Sequence, residues 1–223
     1  MKISEQDYIN RKIAAALSKD TNRFELIELS KDSNKFIRLE LAKRNDIPEP
    51  VLLKFAENKN EAEEVKVEAA INHCSTEAVL LILIKDKSEL VRSEVLANPN
   101  VTESVLEISA LDKNEDIRLA TSLHNNATPK ILDSMFKENS DELEIRMSLS
   151  MNQKTSIGTL QLLMKDKEPL IAKMAEDNLH FKYKVKRIED MESTYVEPKI
   201  KIGVEEANEA FSNIAVDFNL AKK

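Results

Sequence analysis

Basic and acidic side chains recur at two fixed positions of a repeating pattern. Three aspartates, Asp32, Asp86 and Asp112, each stand six residues before an arginine. A guanidinium beside a carboxylate forms charge-assisted hydrogen bonds. The fixed offset therefore predicts a structural ladder of Asp–Arg contacts, each within one repeat or between neighbouring repeats, rather than a phosphate-binding stripe. The residues assigned to this ladder are Asp32, Arg38, Asp86, Arg92, Asp112, Arg118 and Arg146.

Asparagines form a second column with nearly the same spacing. Its members are Asn45, Asn72, Asn98, Asn125, Asn152 and Asn178. Asparagine side chains hydrogen-bond to nearby backbone groups and favour turns. We expect these amides to satisfy backbone groups at helix ends rather than to contact a ligand.

No catalytic constellation can be assembled from the nucleophilic and titratable residues. His73 and Cys74 are adjacent, but His124 and His180 lie two and four repeats further along. A single cysteine excludes an internal disulfide and a Cys-based zinc site, and two glycines are too few for a Gly-rich phosphate loop. The sequence predicts no catalytic, metal-binding or cofactor-binding residue and no enzymatic activity.

Charge and composition restrict the class of partner and the compartment. The formal net charge of −7, the absence of Trp and an aromatic content of 4% argue against a nucleic-acid-binding surface. No apolar run approaches the length of a membrane-spanning helix, and the first residues do not resemble a signal peptide. We expect a cytoplasmic protein with no membrane partner.

The elements that must position these residues form a repeat of about 27 residues. A β-branched column and a leucine column recur in step with the basic column, whose members are Arg38, Lys66, Arg92, Arg118 and Arg146. Each repeat is predicted to hold two short helices, the first beginning after Thr76, Thr102 or Thr128, or near Pro48 in an earlier repeat. The second helix begins near the basic residue and ends near the asparagine. The β-branched column is Ile37, Val65, Val91, Ile117, Ile145 and Ile171, and the leucine column is Leu52, Leu80, Leu106, Leu132 and Leu160.

One face of the second helices is predicted to meet a partner. On a helical wheel, apolar residues fill all but one of the positions considered. The exception carries glutamates in three repeats and grades to neutral and apolar residues in later ones. The partner-binding residues assigned to this column are Glu40, Glu68, Glu94, Ser148 and Met174. An acidic stripe of this kind favours a basic or amphipathic protein or peptide, although a merely solvated face remains the alternative.

The segment VRSEVLANPNVTESVLEISALD, residues 91–112, carries a resemblance to known repeats. Helix pairs with an Asp in the turn resemble HEAT-like repeats, and this segment resembles the leucine-rich-repeat variant even more closely. The resemblance covers roughly residues 20–180. It implies a right-handed α-solenoid of about six short helix pairs, in a class that mostly binds proteins or peptides. Some variant-repeat proteins carry an iron–sulfur cluster on an N-terminal cysteine cluster, which this chain lacks.

The carboxyl-terminal part of the chain departs from the repeat. Residues 181–202 are predicted to be a linker, with the basic segment 180–187 either extending the last helix or forming a short strand. Residues 203–223 are predicted to form an amphipathic helix. Its apolar face is assigned to Val204, Phe211, Ile214 and Phe218. We expect that helix to fold back on the solenoid, with docking on a partner or on a second copy as the alternative.

Together these patterns predict an all-α protein. Residues 1–180 form an α-solenoid domain with an N-terminal cap helix, and the predicted function is that of a non-enzymatic scaffold that binds a protein or peptide on its concave face. Two alternatives remain: a nucleic-acid-associated HEAT-like protein resembling DNA-repair proteins, and an accessory or chaperone subunit of an enzyme.

Overall fold

The computed structural model describes residues 4–194, and the regular secondary structure of this part of the chain is α-helix, without strands. The helices are α1 (Glu5–Leu17), α2 (Arg23–Leu29), α3 (Lys35–Ala42), α4 (Glu49–Glu57), α5 (Glu63–Ile71), α6 (Glu77–Leu83), α7 (Glu89–Ala97), α8 (Glu103–Ser109), α9 (Glu115–Leu123), α10 (Pro129–Glu138), α11 (Leu143–Met151), α12 (Ile157–Leu163) and α13 (Pro169–Thr194). The all-α prediction is confirmed.

The predicted helix starts are confirmed for four helices. The residues at the N-caps of α4, α6, α8 and α10 are Pro48, Thr76, Thr102 and Thr128. Among the three threonines only Thr128 accepts a hydrogen bond from a helix N–H, that of Ile131. Thr76 and Thr102 instead donate their hydroxyls to glutamates of the preceding repeat, at 2.6 Å in each case.

The helices from α1 to α9, together with α11, pack in two rows. Each odd-numbered helix from α1 to α9 contacts the next odd-numbered helix, up to the pair α9 and α11. Along the even-numbered helices the same relation joins α2 to α4, α4 to α6 and α6 to α8. Helices that follow each other in the chain also contact each other across the two rows, as α4 with α5 and α10 with α11.

The core lies between the rows and includes both predicted apolar columns, together with other buried residues such as Phe55 and Met135. The β-branched residues from Ile37 to Ile171 are at most 2% exposed, and all five leucines from Leu52 to Leu160 are fully buried. The interior therefore receives six residues from the β-branched column and five from the leucine column, which explains why apolar residues recur at these two positions.

The carboxyl-terminal prediction is wrong in part. Helix α13 continues from Pro169 to Thr194, so residues 188–194 are helical although the sequence showed no helical period there. The basic segment 180–187 extends the last helix, one of its two predicted alternatives. The rest of the predicted linker and the predicted docking residues Val204, Phe211, Ile214 and Phe218 lie outside the described residues. The contacts divide the chain into two units, Met1–Phe181 and Lys182–Lys223.

Candidate binding face

Three residues of the basic column, and Lys12 at the equivalent position of α1, pair with carboxylates of the following repeat at N···O distances of 2.5–2.7 Å. In each pair the acid lies 20 residues after the base, and all four acids are nearly buried. The pairs are Lys12–Asp32, Lys66–Asp86, Arg92–Asp112 and Arg146–Asp166. Of the two predicted alternatives, the structure therefore has the contacts between neighbouring repeats. Within one repeat, no ion pair joins the described side chains of Asp86 and Arg92, of Asp32 and Arg38, or of Asp112 and Arg118.

The six-residue offset has a different physical basis. The guanidinium of Arg92 donates to the backbone carbonyl of Asp86, at 2.9 Å, while its other nitrogens bind the carboxylate of Asp112. The same backbone contact joins Arg38 to Asp32 and Arg146 to Ser140. The residue at the acidic position therefore accepts this hydrogen bond with its backbone carbonyl, from the arginine of its own repeat. Its side chain remains available to pair with the basic residue of the preceding repeat.

Two repeats lack the acid at this position, and a nearby glutamate replaces it. Where the column reads Asn60, the guanidinium of Arg38 binds Glu61 instead, at 2.7 Å. Where it reads Ser140, Arg118 binds Glu142. Every arginine or lysine of the basic column therefore pairs with a carboxylate of the next repeat. In α13, the last described helix, Ala172 occupies the position of the basic residue.

Burial and hydrogen bonding act in opposite directions on the carboxylate of Asp86. Its burial alone would raise the pKa, but hydrogen bonds from the Lys66 ammonium and the Ser88 backbone N–H outweigh this effect and lower the pKa below its ordinary value of 3.8. One oxygen caps the turn before α7 and the other joins α5 of the preceding repeat. The ion pair thus fixes the turn and the contact between repeats together.

The asparagine column connects neighbouring repeats through the backbone, as predicted for its amides. Asn98 donates to the carbonyls of Ala70 and Asn72 at 2.6 and 3.0 Å, and its oxygen accepts the N–H of Asn100. Asn72 and Asn152 make corresponding contacts.

Two members of the predicted asparagine column are misplaced by one residue. Asn45 and Asn125 are exposed, and the equivalent structural positions are held by Arg44 and His124. Arg44 donates to the carbonyls of Ala16 and Ser18, both at 2.7 Å. Its longer side chain therefore makes the same kind of contact with the preceding repeat as the asparagine amides make. The column is defined by its distance from the β-branched core residue, not by residue type.

Asn178, the last of the column, leaves one polar atom without a partner. Its amide nitrogen donates to the carbonyls of Ser150 and Asn152, at 2.9 and 3.0 Å. Its oxygen is buried, and among the described residues it is the single buried side-chain nitrogen or oxygen with no hydrogen bond. An unpaired buried acceptor of this kind costs about 1–3 kcal/mol.

The predicted partner-binding column is only partly accessible. Glu40, Glu68, Glu94 and Met174 are half-buried, and Glu40 forms an ion pair with Lys43 at 2.8 Å. The assignment of Ser148 as a partner-binding residue is wrong, because Ser148 is 2% exposed. Its hydroxyl lies 2.5 Å from that of Ser122, so the two small side chains form a contact between the neighbouring helices α9 and α11.

An exposed apolar column lies next to the glutamates, three residues further along each odd-numbered helix. Leu17, Ile71, Leu123 and Met151 occupy it and are 39–58% exposed. The helical wheel of the second helices placed this column among the apolar positions, but its exposure to solvent was not predicted. The signal was present in the sequence, because Lys43 and Asp177 occupy the same column and a fully buried column would not accept both charges.

Two adjoining grooves follow this column. Groove A lies between α9 and α11 and is lined by Leu123, His124, Met151 and Lys154, among others. Groove B lies between α11 and α13 and is lined by Met151, Gln153, Met174, Asp177, Asn178 and Phe181. Met151 and Gln153 belong to both grooves, so an elongated ligand can contact both.

Comparisons with known proteins identify no relative of this chain. No family model, curated protein or solved structure matches it. Within residues 4–194, no group of three His, Cys, Asp or Glu side chains is placed to hold a metal ion, and no helix is both long enough and apolar enough to cross a bilayer.

Proposed function

We propose that this chain is a cytoplasmic α-solenoid of the HEAT-like or leucine-rich-repeat-variant type, which binds a protein or peptide on the exposed face of its odd-numbered helices. The two rows of helices support the solenoid part of the proposal. Each repeat contacts its neighbours through the ion pairs and amide bridges described above, which is the nearest-neighbour organisation expected of a repeat protein.

One observation carries the binding proposal: exposed large apolar side chains line grooves on this face. Leu123 is 56% exposed and Met151 is 48% exposed, in a groove that both line. Apolar side chains that cluster in a surface depression are typical of interaction sites. Methionine adapts its shape to different ligands because its side chain is unbranched.

Charges on the same face indicate the chemistry of the partner. Glu68 and Glu94 lie on α5 and α7, in the same row of odd-numbered helices as α9 and α11, which flank groove A. Neither glutamate forms an ion pair with another described side chain. Carboxylates beside apolar residues favour a segment with both apolar and basic side chains, since the basic residues would be attracted by the acidic rim.

Affinity capture from an extract of the native cell, with mass spectrometry, tests this function. The wild-type chain is compared with a Leu123→Ser, Met151→Ser double variant. We expect at least one protein to bind the wild-type chain and to be lost from the double variant, because both substitutions remove apolar area from the face. A Glu68→Lys, Glu94→Lys variant should retain less of the same protein, most clearly at low salt.

A matched control separates the face from general surface effects. Leu111 and Leu162 are 67% and 54% exposed and lie on or after even-numbered helices. Their replacement by serine removes similar apolar area and should leave the captured protein unchanged. Equal loss in the control, or recovery of nucleic acid instead of protein, would contradict the proposal. All variants are first compared with the wild type by circular dichroism and thermal unfolding.

A further inference from the structure

The unpaired oxygen of Asn178 marks a difference between the last repeat and the preceding ones. In Asn72, Asn98 and Asn152 the equivalent oxygen accepts the backbone N–H two residues later, at 2.7–2.9 Å. Those residues lie in the turn that follows a helix. Helix α13 instead continues past Asn178, so the N–H of His180 lies inside the helix and is not offered to the side chain.

The same oxygen belongs to a residue that lines groove B. Asn178 is 9% exposed, and the apolar part of the groove is formed by Met151, Met174 and Phe181. Phe181 is 48% exposed and Met174 is half-buried. The oxygen itself is buried, so a donor reaches it only when a neighbouring side chain moves. Met174 lines the same groove, and its unbranched thioether side chain has several rotatable bonds.

We infer that groove B binds a short peptide segment of a partner protein. The segment places a large apolar side chain against Met151, Met174 and Phe181 and donates one backbone N–H to Oδ1 of Asn178. This inference rests on the proposed function and adds the chemistry of the ligand and the position of its anchor.

A peptide fits this groove better than an isolated apolar molecule for two reasons. Every residue of a peptide other than proline carries a backbone N–H donor as well as a side chain. One residue can therefore donate to Oδ1 of Asn178 and place its side chain against the apolar residues of groove B. Groove A also continues from groove B through Met151 and Gln153, so the neighbouring residues of a peptide have a surface to contact. The donor removes the penalty of an unpaired buried acceptor only in the complex, which favours binding.

Selection from a random peptide library displayed on phage, with the full chain as the target, tests the inference. We expect the selected peptides to share one large apolar residue. Their affinity, measured by fluorescence polarisation, should fall at least tenfold for Met174→Glu and remain unchanged for the control Leu162→Ser. Methylation of each backbone nitrogen in turn should identify one position where affinity falls about tenfold, which corresponds to about one hydrogen bond.

Several results would overturn the inference without removing the proposed function. Selected peptides that lose affinity with Leu123→Ser but not with Met174→Glu would place the ligand in groove A alone. Tolerance of methylation at every position would remove Asn178 from recognition. Competition by a synthetic peptide of residues 203–223, or a dimer that dissociates in Met174→Glu, would replace the partner protein by this chain itself. If no peptide is selected, the inference fails, while affinity capture still tests the proposed function.

Discussion

At the scale of single residues, the acidic column carries two functions on two groups of atoms. The backbone carbonyl of Asp86 accepts from Arg92 in its own repeat, and the carboxylate of Asp86 binds Lys66 of the repeat before. Both side chains of the Lys66–Asp86 pair are less than 10% exposed. A buried charge whose partner is removed is more costly than the intact pair is favourable, so these pairs specify how successive repeats meet.

A double-mutant cycle tests which base depends on Asp86. We expect Asp86→Ala to lower the free energy of unfolding by about 1–3 kcal/mol, because the Lys66 ammonium and the Ser88 N–H lose their acceptor. The coupling energy of Asp86→Ala with Lys66→Met should be large, and with Arg92→Met small. Urea unfolding measures both, with Glu138→Ala, an exposed position at the end of α10, as the control. Equal coupling to both bases would contradict the arrangement between repeats.

At the scale of elements, short helices depend on their ends because each has only two or three turns. Helix α12 (Ile157–Leu163) is capped by the hydroxyl of Ser156, which accepts the N–H of Thr159 at 3.1 Å. Its second residue, Gly158, is exposed and has no positive φ. A Cβ there would meet only the Ser156 oxygen, at 3.8 Å, an ordinary contact distance. Neither a close contact nor the backbone conformation therefore requires glycine at position 158.

Substitution of this glycine should stabilise the chain. Gly158→Ala is expected to raise the free energy of unfolding by about 0.5 kcal/mol, since alanine loses less backbone freedom in a helix. The reverse change at an exposed helical position, Ala120→Gly in α9, should lower it by about 0.5–1 kcal/mol. Thermal and urea unfolding of the two variants measure these opposite shifts. A destabilising Gly158→Ala would indicate that the start of α12 has a constraint that its geometry does not show.

At the scale of the whole molecule, two aspartates and a histidine make the fold sensitive to pH in two separate ranges. Hydrogen bonding lowers the pKa of Asp32 and Asp86 despite the opposing effect of burial. Burial lowers the pKa of His124 below 6.5, and the nearby Lys154 adds to this. The depressed carboxylates stabilise the fold above their ordinary pKa of 3.8, and that stability is lost as the pH falls through their folded values. Because the pKa of His124 is lower in the fold than its ordinary value of 6.5, the stability that this group contributes declines as the pH falls below 6.5.

Urea unfolding from about pH 8 to about pH 3 tests both ranges. The free energy of unfolding should fall in a first step below pH 6.5 and in a second step below pH 3.8. His124→Asn restores the amide found in the neighbouring repeats and should abolish the first step while leaving the second. Asp86→Asn should lower stability at neutral pH and reduce the second step. A first step that persists in His124→Asn would show that another group titrates there.

The strict repetition of apolar residues made much of the fold predictable from the sequence. A β-branched residue and a leucine in each repeat must be buried, and their period determined the number of helices and the starts of α4, α6, α8 and α10. The asparagine amides were also interpreted correctly, because their chemistry with backbone groups is local. The positions of Arg44 and His124 in the same column were not predicted. A pattern defined by residue type cannot detect a different side chain at the equivalent position.

What the sequence alone determined is therefore the helical repeat and its buried columns, because burial of a periodic apolar face is specified along the chain itself. Which charges meet depends on tertiary packing, since Asp86 is close in sequence to Arg92 but its carboxylate binds Lys66 of the neighbouring repeat. The tertiary structure also decided that Ser148 is buried, that Leu123 and Met151 are exposed, and that α13 continues past Asn178. These outcomes depend on how one repeat packs against the next, and that geometry is set by contacts between helices rather than by the order of residues within one.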